Sequence, residues 1–155
     1  MDNAITVKVK KISPTATMPT KGSEQAAGYD LYADLKGEKS IVIPADGTAF
    51  IGTGLTMAIP VGYWGGIYAR SKISCKRAMR PANCVGVIDS DYRGEVIVCL
   101  RNDDSKTERT IQHGERIAQI IVDKLYKTEY EEIPEGEELP STDRGEGGFG
   151  STGRF

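Results

Sequence analysis

Cysteine, histidine and long apolar runs are all scarce in this chain of 155 residues. The three cysteines, at positions 75, 84 and 99, are odd in number and lack metal-ligand spacing, and only one histidine accompanies them. A disulfide scaffold or a zinc centre is therefore not expected, whereas a reducing compartment is. No run approaches the roughly 20 apolar residues of a membrane span, and the first residues lack the apolar core of a secretory signal. We expect a soluble, cytoplasmic protein without a membrane partner.

An excess of positive charge is also missing, because the formal net charge is -2. Proteins that bind duplex DNA neutralise its phosphates with Lys and Arg and are usually basic, so stable nucleic-acid binding is not expected. The length and a hydrophobic content of 39% allow one domain with a sizeable core. Glycine is the residue in excess, with 18 copies, which favours turns and short strands over long helices.

Short β-strands separated by turn residues are the predicted architecture. Ile5, Val7 and Val9 alternate with polar residues, as expected of a half-buried strand. The only plausible helix covers residues 71–79, with Ser71 as its N-cap and Pro81 beyond its end. This pattern favours a β-sandwich, a jelly roll or a barrel. Further strands are predicted at residues 26–33, 40–43, 49–53, 55–59, 64–69 and within 111–125.

Two apolar runs, residues 84–88 and 96–100, flank a polar turn that carries Asp89 and Tyr92. The β-branched residues on both sides predict a hairpin closed by this turn. A carboxylate at the mouth of a strand is a candidate general base, since it can take a proton from a positioned water. From spacing alone, an aspartate that only shapes the turn remains the more common alternative.

The C-terminal part of the chain differs in composition from the rest. Residues 129–140 contain six glutamates, two prolines and no Lys or Arg, which predicts an extended acidic linker. Residues 141–155 are glycine-rich, and a disordered tail is one interpretation of them. The other is a mobile arm in which Arg144 and Phe149 wrap a nucleotide. The predicted division is a β domain at 1–128, the linker at 129–140 and the arm at 141–155.

Five stretches resemble, in order, the five motifs of the trimeric dUTP pyrophosphatases. They are residues 27–31 (AGYDL), 69–72 (ARSK), 86–94 (GVIDSDYRG), 114–119 (GERIAQ) and 144–153 (RGEGGFGSTG). The resemblance implies an all-β, distorted jelly-roll or β-clip-like barrel that forms a homotrimer, with active sites shared between subunits and closed by a neighbour's arm. It also implies Mg²⁺-dependent hydrolysis of dUTP to dUMP and pyrophosphate, which limits uracil in DNA and supplies dUMP for thymidylate synthesis.

The third motif of that family carries the base and the nucleoside contacts. By resemblance, Asp89 is the general base, and the ring of Tyr92 lies under the deoxyribose, where it excludes a 2′-hydroxyl. Asn83 and the backbone of Val87 and Ile88 would contact uracil. A main chain that hydrogen-bonds one edge of uracil would reject cytosine, whose exocyclic amine has the opposite polarity.

The other motifs hold the phosphates. By resemblance, Arg70, Ser71 and Gln119 bind them, and Asp30 touches Mg²⁺ only through water, in keeping with an ion that retains several waters. Lys72 stands where the family usually has glycine, and it either adds a phosphate contact or points to solvent. In the arm, Phe149 would stack on the base, while the outer phosphates would be bound by Arg144, Gly150, Ser151 and Thr152.

Two alternatives compete with the hydrolase. The dCTP deaminases share the fold by family analogy, but their chemistry uses a glutamate near the base, where this chain has Asp89. A nucleotide-binding module without turnover is the second alternative. The presence of both Asp89 and the closing arm favours the hydrolase.

Overall fold

The computed structural model describes residues 4–148, which form eleven β-strands and one short helix. The predicted all-β architecture with a single short helix is confirmed. None of the described residues belongs to a helix that is long and apolar enough to cross a membrane. The strands are β1 (Lys8–Lys11), β2 (Thr20–Lys21), β3 (Tyr29–Tyr32), β4 (Ser40–Ile43), β5 (Thr48–Ala58), β6 (Tyr63–Tyr68), β7 (Met79–Pro81), β8 (Gly86–Ile88), β9 (Glu95–Asn102), β10 (Arg109–Gln112) and β11 (Arg116–Lys124), and the helix is α1 (Ser71–Arg77).

Every strand pair is antiparallel, and the strands form three sheets. One sheet has four strands in the order β1-β5-β9-β7, and another has five in the order β2-β3-β11-β6-β8. The pair β10-β4 forms a small third sheet. Strands that are far apart in sequence are neighbours in both large sheets, which is why the motifs of the chain can meet.

The core consists of alternate side chains from the inner faces of the sheets. In β9, Val96, Val98 and Leu100 are fully buried, whereas the residues between them point outward. Leu31 of β3 and Ile117 of β11 are also fully buried. Each such aliphatic side chain contributes about 1.5–3 kcal/mol of burial free energy, so this core rigidly holds the strand ends that carry polar residues.

The predicted hairpin between residues 84 and 100 is wrong. Its first arm becomes β8, which pairs with β6 in the five-stranded sheet. Its second arm becomes β9, which pairs with β5 and β7 in the four-stranded sheet. The polar segment with Asp89 is therefore a crossing between sheets. Two apolar runs predict two strands but not their partners. Which strands pair depends on the faces that become buried together, and here the two strands joined different sheets.

Two further boundaries differ from the predictions. The glycines at 52 and 54 do not separate two strands but mark a register shift within β5, where Gly54 has a φ of 66°. In α1, Ser71 is the first helical residue rather than the N-cap, which is Arg70 and makes no capping hydrogen bond through its side chain. The helix ends before Pro81, because Ala78 adopts a left-handed φ of 52°.

Candidate active site

The predicted base-binding residues surround one pocket of about 220 Å³ between the two large sheets. Strand β8 forms one wall, and the outward face of β9 forms another. The β9 residues Ile97 and Cys99 were not predicted, because strand alternation alone did not show that this face lines a pocket. All five of the predicted residues line it: Asn83, Val87, Ile88, Asp89 and Tyr92.

The loop that carries Asp89 is held by its own hydrogen bonds. The Tyr92 hydroxyl donates to the Glu95 carbonyl at 2.9 Å, and the Tyr92 N–H donates to the Asp89 carbonyl at 3.2 Å. The Tyr92 ring lies over Gly94, where a Cβ would collide with it. The Asp89 carboxylate is exposed and makes no hydrogen bond or ion pair with any described residue. The structure thus leaves a charged acceptor free on a fixed loop.

On the opposite side of this pocket, the side chains of Ile67 and Asn83 lie close to the backbone of Gly86. A Cβ on Gly86 would lie 3.1 Å from Ile67 Cβ and 3.2 Å from Asn83 Nδ2, so only glycine packs there without displacement. Strand β8 is also the last strand of its sheet, with a partner on one side only. Its second backbone edge is therefore free of strand partners among the described residues, next to the pocket.

The predicted phosphate-binding residues line a second depression, of about 370 Å³. Three adjacent strands bring them together, since Gln119 of β11 is in register with Asp30 of β3 on one side and with Tyr68 of β6 on the other. The chain that follows β6 supplies Arg70 and Ser71. The lining is Gly22, Ala26, Gly28, Asp30, Arg70, Ser71, Lys72, Arg116 and Gln119.

Asp30 is the anionic centre of this depression and is only 7% exposed. Arg70 Nε donates to its Oδ1 at 2.6 Å, and Arg116 Nη1 lies 3.4 Å from its Oδ2. Arg116 was not predicted, although it stands inside the fourth motif and its charge was the available signal. One buried carboxylate thus holds two guanidinium groups at the depression, which keeps an excess of positive charge there.

Gln119 is oriented by a backbone contact, because its Nε2 donates to the Ala69 carbonyl at 3.0 Å. Its Oε1 faces Gly28, and a Cβ on that glycine would lie 2.8 Å from it. This explains the glycine of the first motif, which sequence reasoning did not assign. The first, second and fourth motifs therefore form one preorganised cluster.

The two pockets share no lining residue. Ile88 is in register with Gly65, so Asp89 lies beside the Trp64 end of β6, whereas Arg70 follows the other end. Six extended residues span at most roughly 20 Å. Asp89 and the residues Arg70 and Ser71 line separate pockets of one chain.

The comparisons with known proteins give one answer. The family model described as dUTPase matches residues 14–153. The chain belongs to the dUTPase family. The deoxyuridine 5'-triphosphate nucleotidohydrolase of Debaryomyces hansenii is 46% identical over 142 residues, which is 92% of this chain and 84% of that protein. The Candida albicans enzyme of the same name is 41% identical over 154 residues, covering 99% and 92%.

A solved dUTPase has the same fold. The dUTPase of Staphylococcus bacteriophage 80alpha with dUPNHPP superposes with a TM-score of 0.83 at 28% identity, covering 97% of this chain and 99% of that one. All five stretches that resemble dUTPase motifs lie within residues 14–153, the region that the family model matches. The recognition from sequence is confirmed.

The arm is described only in part. Arg144 Nε donates to the Gly147 carbonyl at 2.7 Å, and two backbone turns cover residues 142–147. Arg144 therefore contacts neither pocket in this chain. The predictions for Phe149, Gly150, Ser151 and Thr152 lie outside the described residues.

Proposed function

We propose that this dUTPase-family chain hydrolyses dUTP to dUMP and pyrophosphate, with Asp89 as the general base. The observation that carries this proposal is the free carboxylate of Asp89 at the rim of a nucleoside-sized pocket. A catalytic base needs access to water and no competing partner. An aspartate that only shaped a turn would direct its carboxylate to backbone N–H groups, as Asp104 does toward Lys106 and Thr107.

The pocket beside Asp89 suits uracil and deoxyribose. The free edge of β8 at Val87 and Ile88 offers main-chain donors and acceptors to the base, and the Asn83 amide adds one of each. Fixed backbone polarity accepts uracil and rejects cytosine. The Tyr92 ring is held in place through its hydroxyl, so it excludes a 2′-hydroxyl by contact.

In the reaction, Asp89 accepts a proton from the attacking water while the bond between the α- and β-phosphates breaks. Arg70, Ser71 and Gln119 bind the phosphate oxygens and stabilise the charge that moves onto the leaving pyrophosphate. Lys72 is an additional cation at the same depression. From the arm, Arg144, Gly150, Ser151 and Thr152 bind the outer phosphates, and Phe149 covers the base.

Magnesium fits this site as an ion carried by the triphosphate. No described residues form a group of three or more potential His, Cys, Asp or Glu ligands, and both Asp30 oxygens face guanidinium groups. Mg²⁺ usually keeps several waters and binds substrate phosphates with few protein ligands. Asp30 would hold such a hydrated ion through water, and the ion would neutralise phosphate charge.

The separation of the two pockets supports a homotrimer with shared sites. One subunit would supply Asp89 and the base pocket, and a neighbour would supply Arg70, Ser71 and Gln119. The outward face of the four-stranded sheet supports such an assembly, because Phe50 is 77% exposed there and Ile97 of the adjacent strand is 46% exposed. Large exposed apolar side chains on one face are typical of subunit contacts.

The same logic supports an arm that crosses between subunits, with the division 1–128, 129–140 and 141–155. Linker residues 129–140 are exposed, and Tyr130 is 97% exposed. An apolar groove lies beside the unpaired edge of β1, where Lys8, Lys10 and Lys11 are exposed. The glutamates of the linker complement these lysines, so a neighbour's linker suits this groove. The three free cysteines favour the cytoplasm as the location.

The test is turnover of dUTP, dCTP, TTP and UTP, followed as pyrophosphate release with Mg²⁺ present. We expect hydrolysis of dUTP alone at an appreciable rate. Deamination of dCTP with release of ammonia would instead support the deaminase, and tight dUTP binding without turnover would support the binding module.

Asp89→Asn should lower kcat about 10²-fold or more, the usual scale for loss of a general base, with little change in dUTP binding. Asp91→Asn is the matched control, because Asp91 is an exposed carboxylate two residues away that does not line the pocket. Near-normal turnover of Asp89→Asn would show that another group activates the water.

A further inference from the structure

Glu95 connects the pocket beside Asp89 to strand β5. It is the first residue of β9 and lines the same pocket as Tyr92. Its backbone carbonyl accepts the Tyr92 hydroxyl at 2.9 Å. Its carboxylate makes two other contacts, because Oε1 accepts the Gly54 N–H at 2.8 Å and Oε2 lies 3.0 Å from Lys36 Nζ. One residue therefore holds both the tyrosine and the irregular part of β5.

This irregular part, the bulge at residues 52–56, has a backbone donor that needs a partner. Gly52 is in register with Ile97 and Thr56 with Glu95, so β5 carries extra residues between these two pairs. Extra residues in a bulge lose their ladder partners, and a buried N–H without an acceptor is costly. The Glu95 carboxylate supplies the acceptor for the buried Gly54, and a charged acceptor gives a stronger hydrogen bond than a neutral one.

The Glu95 side chain reaches Gly54 past a position that has no side chain. A Cβ on Gly52 would lie 2.3 Å from Glu95 Oε1 and 3.1 Å from its Cδ. Gly52 has no positive φ, so space rather than backbone conformation requires the glycine there. The Glu95 side chain is 14% exposed, whereas that of Lys36 is 59% exposed. An ion pair with so exposed a lysine contributes little, so the contact with Gly54 is the main restraint on the carboxylate.

The Tyr92 ring depends on its hydroxyl for a fixed position. Residues 91–94 of its loop are all exposed, so packing restrains the ring only weakly. A ring excludes a ribose hydroxyl by contact only if it cannot move aside. The bond to the Glu95 carbonyl gives that restraint as long as the start of β9 is itself held. Thr53 Oγ1 donates to the next carbonyl, that of Val96, at 2.7 Å, and the Glu95 carboxylate adds the second contact with the bulge.

We propose that Glu95 is a positioning residue for sugar selection, because its carboxylate fixes, through the bulge of β5, the carbonyl that anchors the Tyr92 hydroxyl. The inference rests on the proposed function, which gives Tyr92 the exclusion of a 2′-hydroxyl. It adds the reason why the tyrosine stays in place. In this role the Glu95 carboxylate does not touch the substrate, and its effect reaches the sugar through Tyr92.

The experiment measures kcat/KM for dUTP and for UTP with the full-length chain and compares their ratio among variants. Glu95→Ala should lower the preference for dUTP roughly threefold to tenfold, the scale of losing one hydrogen bond, chiefly through faster turnover of UTP. Gly52→Ala should reproduce this effect, because the added methyl group displaces the carboxylate without removing it. Glu95→Gln keeps an oxygen acceptor for the Gly54 N–H and should retain most of the preference. Glu108→Ala is the matched control, since Glu108 is exposed and lines neither pocket.

A double-mutant cycle with Tyr92→Phe separates positioning from a merely structural role. Tyr92→Phe removes the hydroxyl that the Glu95 carbonyl accepts, so Tyr92→Phe should itself lower the ratio and Glu95→Ala should lower it no further in that background. An equal loss of preference in both backgrounds, or an unchanged ratio for Tyr92→Phe, would overturn the proposal. If thermal unfolding shows that Glu95→Ala does not fold, Gly52→Ala takes its place in the same cycle.

Failure of this inference is separable from failure of the proposed function. Calorimetric Kd values for dUMP and UMP give the sugar preference without turnover, so the role of Glu95 can be tested even in a chain that hydrolyses nothing. A preference that falls in Tyr92→Ala but not in Glu95→Ala would overturn only the role of Glu95. A preference that is unchanged in Tyr92→Ala would overturn the sugar selection by Tyr92, and the role of Glu95 with it.

Discussion

Gly28 acts on the site through the absence of a side chain. The space where its Cβ would lie is 2.8 Å from Gln119 Oε1 and 3.3 Å from Ile121 Cγ1. Gln119 can therefore donate to the Ala69 carbonyl and line the depression that holds the predicted phosphate-binding residues. Gly28 lies in the bend just before β3, where the missing side chain leaves room for a neighbouring amide.

Gly28→Ala should displace Gln119 from the Ala69 carbonyl and lower kcat/KM for dUTP roughly tenfold, the scale of losing one charge-assisted phosphate contact. Steady-state kinetics would measure it. Gly22→Ala is the matched control, because Gly22 lines the same depression, has nothing within 4 Å of its Cβ position and shows no positive φ. Equal effects of both substitutions would contradict the role given to Gly28.

At the scale of elements, the motifs of the chain were predictable and their assembly was not. The resemblance of five motifs in order predicted roles for Asp89, Tyr92, Arg70 and Gln119, and these roles stay predictions, although the structure places the residues in two pockets. The pairing of β8 and β9 with different sheets was not visible, since both belong to continuous apolar runs of similar composition. Long-range pairing depends on which faces are buried together, and a local pattern contains no partner.

The contribution of Arg116 was hidden for a related reason. Its contact with Asp30 joins β11 to β3, and the sequence separates them by more than 80 residues. The β5 irregularity was misinterpreted as a turn because glycine marks both turns and bulges. Only the surrounding contacts distinguish the two, and here the Gly54 N–H donates to Glu95 Oε1 at 2.8 Å.

A buried carboxylate, that of Asp34, lies beside this irregularity in β5, and the Asp34 N–H donates to the Gly52 carbonyl at 2.8 Å. Asp34 follows β3, is 3% exposed and accepts a hydrogen bond from Thr15 Oγ1 at 2.6 Å. Burial acts to raise the pKa of Asp34, but hydrogen bonds from Ser13 and Thr15 act against it. A hydrogen bond from the Lys36 backbone N–H and the electrostatic interaction with His113 also lower it, so the pKa of Asp34 lies below its ordinary value of 3.8.

Because the folded pKa is lowered, ionised Asp34 stabilises the fold above about pH 4, and this contribution is lost as the pH falls through the folded pKa. Asp34→Asn should lower the free energy of unfolding at pH 7 by about 1–3 kcal/mol. The difference from wild type should shrink below pH 4. Urea unfolding at fixed protein concentration measures both, with the exposed Asp143 changed to Asn as control. A difference that stays constant down to pH 3 would exclude this carboxylate as its source.

At the scale of the whole molecule, the residues of the proposed site line two separate pockets of one chain. Asp89 lines one pocket and Arg70 the other, and Arg144 contacts neither. A chain with two separate, incomplete sites is suited to a symmetric assembly, in which each active site combines residues from two subunits. The linker supplies the reach, because its twelve residues extend up to roughly 40 Å.

Mixing two inactive chains tests this arrangement directly. One chain is truncated after Pro140 and keeps Asp89, and the other is full-length Asp89→Asn and keeps the arm. Truncation should leave folding intact, since the last strand ends at Lys124, and it should lower kcat sharply because the site stays open to water. The two chains are unfolded together, refolded as an equal mixture and compared with each chain refolded alone.

If the base and the arm of a site come from different subunits, random assembly joins an intact Asp89 to an intact arm with a probability of one half times one half. About a quarter of the sites should therefore regain activity. Mass measurement of tagged chains establishes that mixed assemblies form. Mixed assemblies without recovered activity would show that each arm closes over the Asp89 of its own chain. In that case the same mixing with an Arg70→Gln chain in place of the truncated one still tests the shared site, because the proposal assigns Arg70 and Asp89 to different subunits whichever subunit supplies the arm.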